Sequence, residues 1–337
     1  MNDCVRILSI DGGGIRGIIP AMLLAEIERR TGRPIASMFD LIAGTSTGGL
    51  LSLGLVVGDD SGKPRFNASD MVALYRDEAQ TIFPRNFFKQ ALATFAGPKY
   101  PDVGIDGVLQ SRFGSARLKD ALTDVLITSY DLERGEAILF KSREAKLDSH
   151  QDFPMWQVAR GTSAAPTYFS PIKIVPDDPN SPYLALIDGG VYANNPALTA
   201  YAEAVKHHLE PDTRILVVSL GTGALTHRIS YEDAVRWGAL EWAVPILNIL
   251  FDEGSAGVDR VMRRLLDVAC DPPAYYRFQG DLDPSDDAMD NASPENIHAL
   301  QNVAESIIQD QAEALDAVCA RLVHDAEEKT KKAPAGG

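Results

Sequence analysis

The chain has 337 residues, enough to bury a large core, with 45% hydrophobic and 23% charged residues, the balance of a globular protein. A net charge of -15 and a pI of 4.8 leave no basic face for a phosphate backbone, so a nucleic-acid polymer is not expected as a partner. The same acidity argues against electrostatic capture by an anionic membrane surface.

Length alone suggests about two domains. No Pro/Gly/Ser linker, low-complexity run or repeat of fixed period divides the chain, so one large α/β domain with insertions is expected. The N-terminus, Met1-Asn-Asp-Cys-Val-Arg, has no basic region leading into an apolar run, so no secretory signal is read there. Cys4, Cys270 and Cys319 are odd in number, far apart and without metal-ligand spacing, as expected of inert thiols in a reducing cytoplasm. The longest apolar region, 234–251, is interrupted by Arg236, Glu241, Pro245 and Asn248. It falls short of the roughly 20 apolar residues a membrane span needs.

In chain order, residues 5–10 (Val-Arg-Ile-Leu-Ser-Ile) read as a buried strand that ends in Asp11-Gly-Gly-Gly-Ile-Arg-Gly17. A helix follows to Arg30, with Arg29 and Arg30 suiting its C-terminal dipole and Gly32 as the stop. A second short strand, 41–43, runs into Gly44-Thr-Ser-Thr-Gly48 and a further helix. Asn67 caps the next predicted helix, and residues 84–101 read as irregular, with Phe87, Phe88, Phe95 and Tyr100. Helical segments resume near Leu109 and over 118–122. Residues 125–130, 137–141, 183–187, 215–220 and 275–278 read as strands. Pro196 fits the first turn of a helix to about His208. One long helix is expected over 294–323, before a tail that frays. Strands alternating with helices predict an α/β fold, a mostly parallel central sheet with helices on both faces. Ligands of such sheets sit beyond the carboxyl ends of the strands.

Gly44-Thr-Ser46-Thr-Gly48, between a strand and a helix, has the context of a nucleophile elbow. Glycines flanking Ser46 leave room for a tight turn that holds the hydroxyl clear of the sheet. A free serine is a weak nucleophile and needs an adjacent base. Of the six histidines, His150, His207, His208, His298 and His324 lie away from strand ends, and only His227, shortly after Gly223, could reach the same edge. Asp11 and Asp188 each end a strand before two glycines. An aspartate with the ordinary pKa of about 3.9 is a poor base at neutral pH, and burial can raise it into a useful range. Spacing does not choose between the two. Gly12, Gly13 and Gly14 offer side-chain-free amides at a helix start, suited to an oxyanion. Gly12-x-Gly14-x-x-Gly17 is also the spacing of a dinucleotide loop. That loop wants an acidic residue at the end of the second strand, whereas here Asp40 precedes the strand. Arg16 reads either as added positive field and a phosphate head-group anchor or as a solvated arginine.

Asp11-Gly-Gly-Gly-Ile-Arg-Gly17, Gly44-Thr-Ser-Thr-Gly48, Thr162-Ser-Ala-Ala-Pro-Thr-Tyr-Phe169 and Asp188-Gly-Gly190 with Asn194-Asn195-Pro196 together resemble the patatin-like phospholipase family. The resemblance runs over 5–223 and more weakly through 275–279 and 289–293. It implies an α/β-hydrolase-related three-layer sandwich, with one catalytic domain over 1–325 made of core motifs 5–223 and a helical part 230–325. Residues 326–337 are then a disordered tail. The resemblance implies Ser46 as nucleophile, Asp188 as general base, and an oxyanion hole from Gly12, Gly13, Gly14 and Thr47. Arg16, Gly17, Gly44, Gly48, Gly189 and Gly190 support the motifs. Gly190 stands where many members have alanine. Neither metal nor cofactor is implied.

The implied reaction is hydrolysis of an acyl ester of a phospholipid at a membrane surface, by a cytoplasmic protein in peripheral contact with the membrane. The stretch 219–223 through the Trp237-Gly and Glu241-Trp pairs resembles bacterial members, some of which are phospholipase effectors activated by cyclic nucleotides in antiphage defence. A catalytically silent lipid- or nucleotide-binding protein is the alternative of a different class. Residues 237–250 are read first as core packing and second as a lipid-facing segment, with Phe87, Phe88 and Phe95 as another candidate lid. The acidic loop 281–290 is read as solvated.

Overall fold

β1 (Cys4–Ile10) is buried along its whole length, as a strand covered on both faces must be. In the computed structural model, which describes residues 4–84, 97–177, 181–207, 213–226, 229–266, 274–283 and 288–332, it lies in the middle of one sheet. The other strands are β2 (Leu41–Gly44), β3 (Asp124–Asp131), β4 (Glu136–Lys141), β5 (Ile172–Ile174), β6 (Leu184–Asp188), β7 (Arg214–Leu220) and β8 (Tyr275–Phe278). Their order is β5-β6-β3-β2-β1-β7-β8, with β4 also paired to β3.

Alternate side chains of β1 serve two cores, as the two-residue period of a strand requires. Leu8 and Ile10 pack with Ile18, Leu23 and Ile27 of the helix Ile18–Thr31. Val5 and Ile7 pack with Ala197, Ala200 and Ala204 of the helix Ala197–His207 and with Met262 of the helix Ala239–Leu266. Helices therefore cover both faces, and the three-layer expectation holds.

The sheet is mixed, with a parallel core. β3-β2-β1-β7-β8 are parallel neighbours, whereas β4 and β6 run antiparallel to β3, and β5 antiparallel to β6. β4 occupies one edge of β3 from Leu126 to Asp131, so β2 and β6 share the other edge. β2 pairs as far as Gly44 with Ile127, and β6 enters from the opposite direction and ends with Asp188 beside Ser129. The carboxyl ends of two strands thus meet head-on.

The helix starts and stops expected at Asn67 and Gly32 are present, the first as a reciprocal capping box with Asp70, the second as a left-handed C-cap. The single helix expected over 294–323 is instead two, Pro294–Asp310 and Ala312–Lys332, broken at Gln311. There the Gln311 side chain donates to Gln279 O, which ties the break to the strand β8. β5 had no visible sequence signal. The core reading of 237–250 is also corrected. Leu247 and Phe251 are buried, but Val244, Ile246, Ile249 and Leu250 are exposed. Cys4 and Cys319 are buried free thiols. Cys270, His208, His227, Phe87, Phe88, Phe95 and part of the acidic loop lie outside the described residues. Among the described residues, no helix is long and apolar enough to cross a membrane.

Candidate active site

Ser46 leaves β2 with φ 54° and ψ −124°, and apart from Thr167 it is the one non-glycine at positive φ among the described residues. A side chain in that region is strained and persists because its surroundings fix it. Thr45 Oγ1 donates to Ala193 O at 2.6 Å, so the hydroxyl of Thr128, 2.8 Å away, must be the donor to it. The Ser46 amide donates to Thr162 Oγ1 at 2.8 Å. Gly48 permits the turn, because a β-carbon there would stand 2.1 Å from Ile10 O. Gly44 faces the Gly48 carbonyl just as closely, and Gly17 lies under Thr47. The helix Thr47–Val56 then starts at the cavity, and the Thr47 hydroxyl bonds that of Tyr75.

Asp188, at the end of β6, is 1% exposed. The Ser46 side chain adjoins its carboxylate, and the Gly190 amide donates to Asp188 Oδ1 at 2.7 Å. Burial pushes the Asp188 pKa up to about 7, against the lowering effect of those two contacts. Gly189 backs onto Thr128, and the Phe251 ring lies against Gly190.

The glycine loop stands beside the elbow. A β-carbon on Gly12 would come within 3.2 Å of Ser46 Cβ and 2.2 Å of Asn194 Oδ1. The Gly12 amide donates to Asn194 O at 3.0 Å, so Gly12, expected among the oxyanion donors, has its N–H occupied. The amides of Gly13 and Gly14 form no such bond among the described residues, and the Ile15 amide donates to Met289 O. Arg16 is corrected as a head-group anchor and as a solvated arginine. It is 1% exposed, with Nε directed at Gly13 O and Nη2 3.6 Å from Asp252 Oδ1, so it is neither solvated nor placed to hold a head group.

The other candidate bases among the described residues are committed elsewhere. Asp11 forms a two-point ion pair with Arg277, at 2.8 and 2.6 Å, and accepts from Ser255. His207 bonds Glu203 and shares a surface depression with Val5, Asp40 and Asp124, at the amino ends of the strands and away from Ser46. His150 sits in the turn Ser149–Gln151, and His298 and His324 are on the last two helices. Asp40 is bound by the backbone and guanidinium of Arg6 at the start of β1, which removes the acidic residue a dinucleotide would need. Among the described residues, no group of His, Cys, Asp and Glu side chains could hold a metal ion.

Asn194, Arg277 and Met289 all lie in stretches that carry the resemblance, but the sequence assigned none of them a role. Asn194 donates to Gly12 O, Phe251 O and Ser255 Oγ, which locks the glycine loop to the helix Ala239–Leu266. The signal for Arg277 was a lone cation in the apolar run Tyr275-Tyr-Arg-Phe278.

Ser46 and Asp188 open into a narrow cavity. Its walls are apolar, from Leu74, Ala79 and Ile82 on the helix Ala68–Ile82, Ile105 on the helix Asp102–Phe113, and Phe169 and Phe251. Arg160, itself buried, ties Asp102, Asp106 and Ser170 O together around this wall.

The family profile described as patatin-like phospholipase matches residues 8–201, more than half of the chain. Patatin-like protein 1 of Arabidopsis thaliana is 32% identical over 336 aligned residues, covering 90% of this chain and 81% of that one. Probable inactive patatin-3-Kuras 1 of Solanum tuberosum is 30% identical, covering 92% and 87%. Among solved structures, human GIVD cytosolic phospholipase A2 in complex with methyl gamma-linolenyl fluorophosphonate aligns with 97% of this chain and 60% of its own, at 12% identity and a TM-score of 0.45. The chain belongs to the patatin-like phospholipase family.

Proposed function

We propose that this protein is a lipid acyl hydrolase of phospholipase A type that works through a Ser46–Asp188 dyad. The observation that carries this is the placing of Ser46 beside a buried carboxylate with a pKa of about 7, both of them lining one apolar cavity. A base poised there is half-deprotonated at neutral pH and can accept a proton without a histidine. Ser46 Oγ attacks the ester carbonyl carbon and its proton passes to Asp188. The oxyanion accepts from the amides of Gly13, Gly14 and Thr47. Collapse expels the alcohol, which takes the proton from Asp188. Water then gives a proton to Asp188 and adds to the acyl carbon, and Ser46 Oγ leaves reprotonated with release of the fatty acid. The apolar cavity suits the acyl chain. We take 1–325 as one catalytic unit, because Arg277 and Met289 from its C-terminal part engage Asp11 and the amide after the glycine loop.

A fluorophosphonate should label the wild type and spare Ser46→Ala, which separates the enzyme from a silent binding protein on the same fold. Folded Ser46→Ala and Asp188→Asn proteins should each release no fatty acid from phospholipid. Full activity in Asp188→Asn with loss in Asp11→Asn would overturn the dyad. Activity should persist in excess chelator. Activation by a cyclic nucleotide in antiphage defence is a narrower proposal that rests on the stretch 219–242. It fails if the unliganded protein is already maximally active and indifferent to every cyclic dinucleotide tested.

A further inference from the structure

We infer that the first half of the helix Ala239–Leu266, together with the Trp237–Trp242 pair at its start, is the surface by which the protein docks on a zwitterionic lipid bilayer. This deepens the lipid-hydrolase reading and rests on it for the identity of the partner.

Eight of the fifteen large hydrophobic side chains exposed among the described residues fall between 231 and 266. Elsewhere they stand singly, as Val103, Leu147 and Val175 do, which is ordinary for a protein surface. Here Trp242, Ile246, Ile249 and Leu250 recur at i, i+4, i+7 and i+8, one face of a helix. Ile246, Ile249 and Leu250 are 43%, 41% and 47% exposed. The inner face of the same turns carries Leu247 and Phe251, both buried. A helix apolar on its outer as well as its inner face needs a second apolar medium.

Three observations select a bilayer as that medium. First, the turns that carry the outer stripe also wall the catalytic cavity. Phe251 follows Leu250 directly, lines the cavity and lies against Gly190, two residues from Asp188. An acyl chain lifted from lipid at the stripe has only this turn of helix to pass.

Second, Trp237 and Trp242 pack edge to face at 5.1 Å between centroids, and both are half-buried at the polar start of the helix. Indoles in that position suit the level of lipid head groups. Third, four partly exposed side chains cover far less than the roughly 800 Å² per partner that a stable protein dimer buries. A second copy of the chain is therefore the weaker occupant.

Charge then sets the lipid class. Glu232, Asp233 and Glu241 stand around the start of the stripe against Arg236, while Asp252 and Glu253 are paired with Arg16 and Arg260. Anionic head groups would be repelled, so docking rests on apolar insertion and favours phosphatidylcholine over phosphatidylglycerol.

The test uses full-length Ser46→Ala protein, so that binding is read without hydrolysis. It should sediment with phosphatidylcholine vesicles, less with phosphatidylglycerol vesicles, and the phosphatidylcholine binding should be insensitive to salt. Adding Ile246→Glu and Leu250→Glu should weaken phosphatidylcholine binding at least about tenfold. Adding Val261→Glu and Leu265→Glu, exposed apolar residues further along the same helix, should change it less than about twofold. As a measurement that needs no stripe variant, brominated phosphatidylcholine should quench the tryptophan emission of Ser46→Ala/Trp156→Phe.

Equal sedimentation of the Ile246→Glu/Leu250→Glu protein, or an absence of quenching, would overturn the inference. So would salt-sensitive preference for phosphatidylglycerol, or a wild-type dimer that the same pair of substitutions dissolves. Vesicle binding with this pattern but no fatty-acid release by the wild type would overturn the catalytic reading and leave the docking surface standing.

Discussion

Asp188 pairs with Ser129 across two antiparallel strands, and that pairing decides how the site is built. β6 fills the edge of β3 that β2 vacates after Gly44, so the turn leaving β2 and the last residue of β6 share one place. A carboxylate delivered from a parallel strand would stand a strand's width to the side. Delivered head-on, it meets Ser46 in a cavity lined by Phe251 and Phe169, and its own burial there raises its pKa.

The first prediction is therefore a pH profile. If Asp188 is the base, kcat/KM for a soluble fluorogenic ester should rise with pH and level off above a midpoint of about 7, since only the ionised carboxylate accepts the Ser46 proton. A midpoint in the ordinary carboxylate range, about 4, would mean that the carboxylate is hydrated in solution and that burial is not what tunes it.

The same shift predicts how stability depends on pH. The folded-state pKa of Asp188 is raised from 3.8 to about 7, so between those values the folded protein holds a proton that the unfolded chain releases. Stability from this group falls as pH rises through that window and is lowest above about 7, by on the order of 4 kcal/mol. Asp188→Asn cannot ionise. In urea titrations it should be more stable than the wild type at pH 8, with a gap that closes toward pH 4. A gap independent of pH would show that Asp188 does not titrate in the window.

Ser46 was legible in the sequence because its flanking glycines and the strand-to-helix context are local. The competition between Asp11 and Asp188 was not resolvable by spacing, because the two residues carry the same Asp-Gly-Gly signature. What separates them is a partner 266 positions away: Arg277 neutralises Asp11, whereas Asp188 adjoins Ser46. The direction of β6 was hidden for a different reason. Leu184 to Ile187 is an apolar run, and such a run reads alike in a parallel or an antiparallel pairing. The helix Ala239–Leu266 misled because its composition is that of a core helix. Only its position shows that it has one face too many for the protein to cover.

Asp11 yields a prediction of opposite character to Asp188. Both members of the Asp11–Arg277 pair are almost fully buried, and Asp11 also holds Ser255, which in turn supports Asn194 beside Gly12. Asp11→Asn leaves the Arg277 charge unpaired and should cost about 3–5 kcal/mol of stability in urea denaturation. Asp11→Asn/Arg277→Met should recover part of that loss, because the orphaned charge is gone. In the folded fraction of Asp11→Asn, the midpoint near pH 7 should remain. A double variant no more stable than the single one would mean that the pair holds the glycine loop by shape and not by charge.

Ala79 lines the cavity. It faces the interior from the helix Ala68–Ile82 among Ile82, Phe83 and Phe169, and it is the smallest side chain of that wall. Ala79→Leu would fill space that the end of an acyl chain occupies, at an overpacking cost of roughly 1–3 kcal/mol that folding should tolerate. Each methylene forced out of an apolar pocket loses about 0.8 kcal/mol of transfer energy, so displacing two or three should cut kcat/KM for a sixteen-carbon ester at least about tenfold. A four-carbon ester ends before reaching Ala79 and should be hydrolysed as by the wild type. The ratio of the two rates is the readout, since a general loss of folded protein lowers both and leaves the ratio unchanged. An unchanged ratio in a fully folded variant would place the acyl chain along another wall, and Phe251→Leu, on the side of the exposed helix, would then be the substitution to shift it.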